Sequence, residues 1–290
     1  VGHYSIKELE HLSGIKAHTI RIWEQRYSIL SPKRTDTNIR YYDDQDLKTI
    51  LNVSFLNAKG IKISKIAQME SKQISQKVQE LSEDSGQFSG HINLLISAMV
   101  DMDEEVFDKT ISTATLQLGL RDTFLHVIYP FLNKIGVLWQ TGNISPAHEH
   151  FVSNLVRQKI IVAIDGQVVR RQQGNPTYLL FLPEGELHEL ALLFMNYVIR
   201  SHHFQVIYLG QHLPFKDLEI TYEHCRPAYM CTVLTSTPDR DQVQAYLDKL
   251  SNRFPEATIY ICGAQVQYDF LVFPRNIHLL RSVQEFLALF

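Results

Sequence analysis

Cysteine is scarce in this chain, at 3 of 290 residues, and Cys225, Cys231 and Cys262 show none of the paired spacings that hold zinc. That excludes a disulfide-stapled fold and a cysteine-based metal site, and it fits a reducing compartment. No apolar run approaches the roughly 20 residues needed to span a bilayer, and nothing resembles a secretory leader. A cytoplasmic protein without a membrane partner is therefore expected. Internal repeats and low-complexity tracts are missing as well, which removes repeat solenoids and biased disordered tails. Net charge is small, at -3, but unevenly spread. Residues 1–80 hold 13 Lys/Arg against 9 Asp/Glu, and the remaining 210 residues hold 15 against 22. A basic head on an acidic body is the distribution expected when the first segment meets a polyanion.

What is present is concentrated first in Tyr4–Tyr42. Ser5-Ile6-Lys7-Glu8 has capping-box spacing, Leu9 and Leu12 continue an apolar face, and Gly14 supplies a tight turn. Ala17–Tyr27 reads as a second helix, so the pair has the helix-turn-helix pattern whose second member enters the major groove. On that helix Ala17, His18, Thr19, Arg21 and Arg26 are candidate DNA contacts, with Ile20, Ile22 and Trp23 facing the core. Ser5 joins them at the start of the first helix. A basic hairpin follows at Pro32–Tyr42, in which Lys33, Arg34, Asn38, Arg40 and Tyr41 suit a wing tracking phosphates. Ion pairs of Arg21, Arg26 or Arg40 with Glu24, Asp43 or Asp44 are the structural alternative.

Downstream, Asp43-Asp44-Gln45-Asp46 opens a helix running to about Leu56, and Lys62–Met69 reads as a short one. Residues 73–90 are polar, with Ser82-Glu83-Asp84-Ser85-Gly86 the best linker and no sustained heptads. Ile92–Met99, Glu104–Leu118, Arg121–Trp139 and Ala147–Arg171 carry helical spacing, with breaks at Asp101, Gly119 and Gly142-Asn143, and imply a four-helix bundle over 91–173. From Pro176 strands alternate with helices: strands at Tyr178–Leu182, Val206–Leu209, Tyr229–Leu234, Thr258–Ile261 and His278–Leu280. Nearly all-apolar strands in that alternation mean a parallel, doubly wound sheet over 174–290. The expected chain is multidomain: an all-α winged helix-turn-helix over 1–72, then the helical bundle, then an α/β Rossmann-like domain.

Ile20-Arg21-Ile22-Trp23-Glu24-Gln25-Arg26-Tyr27 and Arg40-Tyr41-Tyr42-Asp43 resemble the marks of the MerR family of winged-helix regulators, over residues 4–70. The resemblance implies a transcriptional regulator, not an enzyme, that binds a double-stranded DNA operator. Many members dimerise through a long coiled coil after the head. Its absence here moves assembly into a dimer or tetramer to the body.

That body resembles the cobalamin-binding unit of methionine synthase and of the CarH-type light-responsive repressors, where a four-helix cap precedes a Rossmann-like domain. Glu186-Leu187-His188 matches a motif, Asp/Glu-x-His-x-x-Gly, whose histidine is the lower axial ligand of cobalt. Neutral imidazole suits a borderline metal, and a carboxylate two residues earlier can orient the ring. By the same resemblance Trp139, Glu149 and His150 cover the upper face of adenosylcobalamin, and Thr232, Leu234, Cys262 and Gly263 flank the nucleotide tail. Light would then break the cobalt–carbon bond and release the DNA. The sequence departs from the pattern at Ala191 (for glycine), at Cys262 (for the first of two glycines), at Thr232 (for serine) and at Gln140, where light-sensing members often have histidine. Added carbon atoms at a packed slot oppose binding. The alternative is a degenerate, cofactor-free body used for oligomerisation or for docking a regulatory protein. A corrinoid enzyme subunit, the third possibility, leaves the DNA head unexplained.

Overall fold

The computed structural model describes residues 3–35, 38–83, 88–140, 144–167 and 175–290. They fall into two compact units, Val1–Leu155 and Val156–Phe290.

In the first unit, α1 (Ile6–Ser13) starts from the expected capping box. Ser5 N donates to Glu8 Oε2 at 2.7 Å, and Glu8 N donates to Ser5 Oγ at 3.3 Å. Gly14, in the left-handed region at φ 73°, ends it. Helix α2 (Ala17–Tyr27) follows and buries Ile20 and Trp23. Ile22, expected in the core, is 44% exposed, because 3.6 residues per turn rotate it away from the face shared by Ile20 and Trp23. Strands β1 (Lys33–Arg34) and β2 (Arg40–Tyr41) pair antiparallel as the wing. A second capping box, between Asp43 and Asp46, opens α3 (Asp44–Ala58), and α4 (Ile63–Ile66) is a single turn.

Residues 73–90, expected as a linker, contain most of α5 (Ser71–Glu83). Ile74 and Val78, one turn apart among polar neighbours, are buried and give this helix its inner edge. Next come α6 (Ser89–Asp101), α7 (Glu104–Thr123) and α8 (Tyr129–Gln140). The break foreseen at Gly119 is real, at φ 78° and ψ 159° inside α7. A π-helical turn, Phe124–Ile128, leads into α8, where Pro130 lacks the amide that would continue an α-helical ladder. Helix α9 (Pro146–Asp165) begins in the first unit and ends in the second. Phe107 packs edge-on against Phe131 and Phe151 at 5.8 and 5.9 Å, joining α7, α8 and the start of α9.

The second unit is built on five parallel strands, β3 (Thr177–Pro183), β4 (Gln205–Leu213), β5 (Tyr229–Val233), β6 (Thr258–Cys262) and β7 (Ile277–Leu279), in the order β4-β3-β5-β6-β7. Helices α10 (Leu190–Ser201), α11 (Phe215–Cys225), α12 (Val243–Arg253) and α13 (Val283–Leu287) complete the alternation. Strand β4 runs to Leu213, well past the expected Leu209. One sheet face, carrying Leu179, Phe181, Met230, Ile259 and Ile261, packs on Leu218 of α11 and on Val243, Leu247 and Leu250 of α12. Alternate residues point the other way. There Tyr178 stacks on Tyr229 at 4.6 Å, and Tyr229 on Tyr260 at 6.0 Å. Because β3 pairs with both the second and the third strand in chain order, the strand order reverses between β3 and β5. In open α/β sheets that reversal is where ligands bind.

Candidate nucleic-acid interface and ligand loop

Helix α2 offers one continuous exposed stripe, His18, Arg21, Ile22, Gln25 and Arg26, at spacings i, i+3, i+4, i+7 and i+8. The sequence reading found three of these. It missed Gln25 and set Ile22 inward, although helical periodicity places both beside Arg21. Ala17 and Thr19 are half-buried, and the Thr19 hydroxyl lies 3.3 Å from the His18 ring. Ser5 is exposed, but its hydroxyl is engaged as the cap of α1.

On the wing, Lys33 pairs with Asp43, and that contact raises the Lys33 ammonium and lowers the Asp43 carboxyl from their ordinary values. Arg34 donates to Asn38 Oδ1 at 2.8 Å, and Asn38 takes the left-handed conformation at φ 66° that turns the hairpin. Arg40 lies 3.5 Å from Glu24, so it serves the fold as well as the surface. The same Glu24 accepts from the Tyr42 hydroxyl at 3.0 Å, and burial followed by that bond pushes Tyr42 up to about 12. Tyr41 packs on the His3 ring at 4.2 Å. Lys33, Arg34, Asn38 and Arg40 are all exposed. Lys33, Arg34 and Arg40 are thus engaged at their terminal nitrogens by Asp43, Asn38 and Glu24 while remaining on the exposed surface of the wing.

In the second unit, the loop after β3 is organised by Glu186, which is fully buried. Its carboxylate accepts from the amides of Thr235 at 2.8 Å, Ser236 at 2.7 Å and Thr237 at 3.1 Å, all in the loop after β5. It also accepts from the amides of Leu187 and His188, each at 3.1 Å. The His188 ring completes the set, with Nδ1 2.6 Å from Glu186 Oε1. Burial alone would raise this carboxyl; the bonds from His188 and the amides of Ser236, His188 and Thr237 outweigh it and hold the group far below the carboxylate range. A carboxylate fixed in this way sets the tautomer and orientation of His188, as it does for histidines that ligate metals. The His188 side chain is about half exposed, at 51%.

Other residues brace the loop that the sequence did not mark. His212 accepts from Gly185 N at Nδ1, 2.9 Å away. Glu189, also buried, pairs with Arg157 of α9 and accepts from the Tyr208 hydroxyl at 3.0 Å. Tyr208 lies inside the strand that the sequence reading placed at Val206–Leu209, whereas His212 lies on the part of β4 beyond it that the reading left out.

Of the four candidates for the tail slot, Leu234, Cys262 and Gly263 are adjacent, with Leu234 N donating to the Cys262 carbonyl oxygen at 2.8 Å, while the strand side chains divide between the two sheet faces. Thr232 and Leu234 share the sheet face of Met230, toward α11 and α12, whereas Cys262 pairs with Val233 and points to the opposite face. The Thr232 hydroxyl is buried without a hydrogen-bond partner. Gly263 has φ 115°, and a Cβ there would sit 2.2 Å from the Leu234 carbonyl oxygen, so no side chain fits. Burial pushes the Cys262 thiol up to about 12. Ala191 is exposed at the start of α10, so its methyl does not crowd the interior. Glu149 is half-buried and His150 exposed in the first turn of α9, where Ser145 caps by contacting the His148 ring at 2.9 Å. The Trp139 side chain and Gln140 lie outside the described residues. A cavity of about 350 Å³ opens on the other side of the Thr235–Thr237 loop, lined by Glu184, Phe215, Asp239, Tyr246 and Lys249 among others.

Fold and surface together define a winged-helix DNA-binding head carried on a helical and α/β body. Residues 4–73 match the family model of MerR HTH family regulatory proteins, and residues 92–163 match that of the B12 binding domain. The chain is similar to the HTH-type transcriptional repressor CarH of Myxococcus xanthus, with 25% identity over 90% of this chain and 89% of that protein. It is also similar to the repressor CarA of the same organism, with 24% identity over 77% of this chain and 73% of that one. Among solved structures, the Methanosarcina barkeri monomethylamine corrinoid protein shares the fold, at a TM-score of 0.53 and 11% identity, over 66% of this chain and 92% of that chain. The chain is thus a transcriptional regulator joining a MerR helix-turn-helix to a segment that matches the B12 binding domain, and the two similar proteins named are transcriptional repressors. No helix among the described residues is long and apolar enough to cross a membrane.

Proposed function

We propose that the protein is a repressor whose body binds a corrinoid, adenosylcobalamin, through His188, and whose hold on operator DNA depends on that ligand. The observation that carries this reading is the Glu186–His188 pair at the strand-order reversal, with Nδ1 held at 2.6 Å by a carboxylate that five backbone amides fix in place. With Nδ1 so engaged, the donor toward cobalt is Nε2. This donor set fits the group: a neutral, oriented imidazole on a half-exposed loop outside the carboxyl ends of the strands. Bound adenosylcobalamin supplies a cobalt–carbon bond that light breaks. Glu186 holds the ring, Glu189 and Tyr208 anchor the start of α10 beneath it, and Trp139, Glu149 and His150 are the residues proposed to cover the opposite side. On the DNA, the α2 stripe reads bases and Lys33, Arg34, Arg40 and Tyr41 of the wing hold phosphates. Paired subunits, as dimers or tetramers, place such heads on spaced half-sites.

A second reading keeps the regulator and removes the corrinoid, so that the body only assembles subunits or docks a partner. It is favoured by Cys262, which stands where the resemblance has glycine and points to the sheet face opposite Thr232 and Leu234. The deciding experiment is an absorption spectrum after dark incubation with adenosylcobalamin and desalting, repeated after green light. Retained corrin absorbance that changes on illumination and disappears in His188→Ala supports the first reading. A colourless protein that still binds DNA overturns it in favour of the second.

A further inference from the structure

The first unit contains a half-buried cation that neither DNA contact nor the ligand loop uses. Lys134, on α8, donates from Nζ to the backbone carbonyl of Leu12 at 2.7 Å, across 122 residues of chain. Leu12 lies in the last turn of α1, the first helix of the reading head, where carbonyls lack intrahelical partners. Among the described residues Lys134 has no carboxylate partner, and burial pulls its ammonium below the ordinary value. Desolvating a charge against a neutral carbonyl is a poor source of stability, and an apolar side chain of similar length would pack there at less cost. A lysine retained under that penalty favours a geometric role. The negative end of a helix dipole is a directional target for a cation, so the contact fixes α1 along its axis.

Two further polar contacts cross the same seam. Asn93 of α6, itself buried, donates from Nδ2 to the Leu51 carbonyl of α3 at 3.1 Å. Lys48 of α3 meets Asp101 at the end of α6, at 2.7 Å. On the head side, Ser54 Oγ donates to the Ser13 carbonyl at 2.7 Å, so the end of α1 is held by α3 and α8 together. Apolar packing alone lets helices slide by a fraction of a turn; three directional contacts from two cap helices do not.

We propose that Lys134 is a positioning residue that locks the DNA-reading head onto cap helices α6 and α8, so that head and cap move as one body. The consequence for regulation, which rests on the corrinoid reading above, is direct. Trp139 lies five residues further along α8, so a displacement of α8 at that end is carried to α1 through Lys134 in the middle of the helix. The head is then presented to DNA according to the state of the cap.

The test compares the full-length protein with Lys134→Met, which keeps length and volume, and Lys134→Arg, which keeps the cation. Amide hydrogen exchange is followed in α1–α3 and in α6–α8, alongside thermal unfolding. We expect Lys134→Met to leave the melting temperature and the exchange of α6 and α7 unchanged, while exchange in α1 and at Leu12–Gly14 speeds by tenfold or more. Lys134→Arg should restore wild-type protection. Unchanged α1 exchange in Lys134→Met overturns the lock, and so does equal loss of protection in α6 and α7, which marks a merely structural residue. A second arm measures DNA affinity with and without adenosylcobalamin. In wild type the two affinities should differ, and in Lys134→Met that ratio should fall toward one with the corrin spectrum retained. Should wild type take up no corrinoid, the reading of the preceding subsection fails, while the exchange arm still decides the role of Lys134.

Discussion

Glu186 and Gly263 show how strongly a single position is constrained at the carboxyl ends of β3, β5 and β6. Replacing the buried, amide-bound Glu186 with Gln removes the charge its donors are arranged around and should cost about 2–4 kcal/mol at neutral pH. The pH dependence has a definite sign. A carboxyl held below its ordinary value contributes stability that is full above the unfolded-state value and is lost as pH falls through the folded-state value. The gap between wild type and Glu186→Gln in urea unfolding should therefore be largest at neutral pH and narrow below about pH 4. A gap that stays constant into strong acid would show that the charge is not what the amides hold. At Gly263, an alanine Cβ placed 2.2 Å from the Leu234 carbonyl oxygen cannot be absorbed by a flexible neighbour. Gly263→Ala should cost about 3 kcal/mol or more, or prevent folding of the sheet unit. Soluble protein with wild-type stability would contradict that geometry.

Among the elements, α2 and the wing are expected to divide the work on DNA. Arg21 and Gln25 sit on the exposed stripe, so Arg21→Ala or Gln25→Ala should each cost about 1–3 kcal/mol on a cognate operator and relax preference at one base pair. Arg34→Ala, on the wing, should weaken all sequences alike and reduce the salt slope of binding by about one. Filter binding or anisotropy against salt separates the two, and equal behaviour of Gln25→Ala and Arg34→Ala would sink the division. Much of this was legible in the sequence, because capping boxes at Ser5–Glu8 and Asp43–Asp46, the Gly14 turn and the hairpin are local signals. Helix α5 was hidden, since Ile74 and Val78 are only two apolar residues in a polar stretch. The Glu186–His188 pair was legible as a spacing, but its partners were not: the amides of Thr235–Thr237 have no sequence signature, and their loop lies about fifty residues away. Which sheet face Thr232 takes was not legible, because a short motif carries no face. In a strand one residue of offset reverses the side.

The whole molecule is two packed units with separate cores, one built from head and cap helices and one from the sheet. Damage to the second core should therefore spare the reading surface. Leu247→Ala, which empties part of the cluster between the sheet and α12, should destabilise the second unit by about 2–5 kcal/mol and leave the chemistry of the α2 stripe intact. Calorimetry and DNA binding below the transition check this together. Equal loss of operator affinity in the folded variant would show that the sheet unit acts on the head even without unfolding.

The Glu186 loop also has a place in time. Its carboxylate and the amides of Thr235, Ser236 and Thr237 are separated by 49 to 51 residues, and they can meet only after β3 and β5 lie side by side. We expect contacts of that kind, which need the sheet already paired, to form late in folding. Glu186→Gln should then hasten escape from the native state while leaving the speed of acquiring it nearly unchanged. In the intact protein, the lifetime of the sheet would be governed by the same buried charge that aims His188.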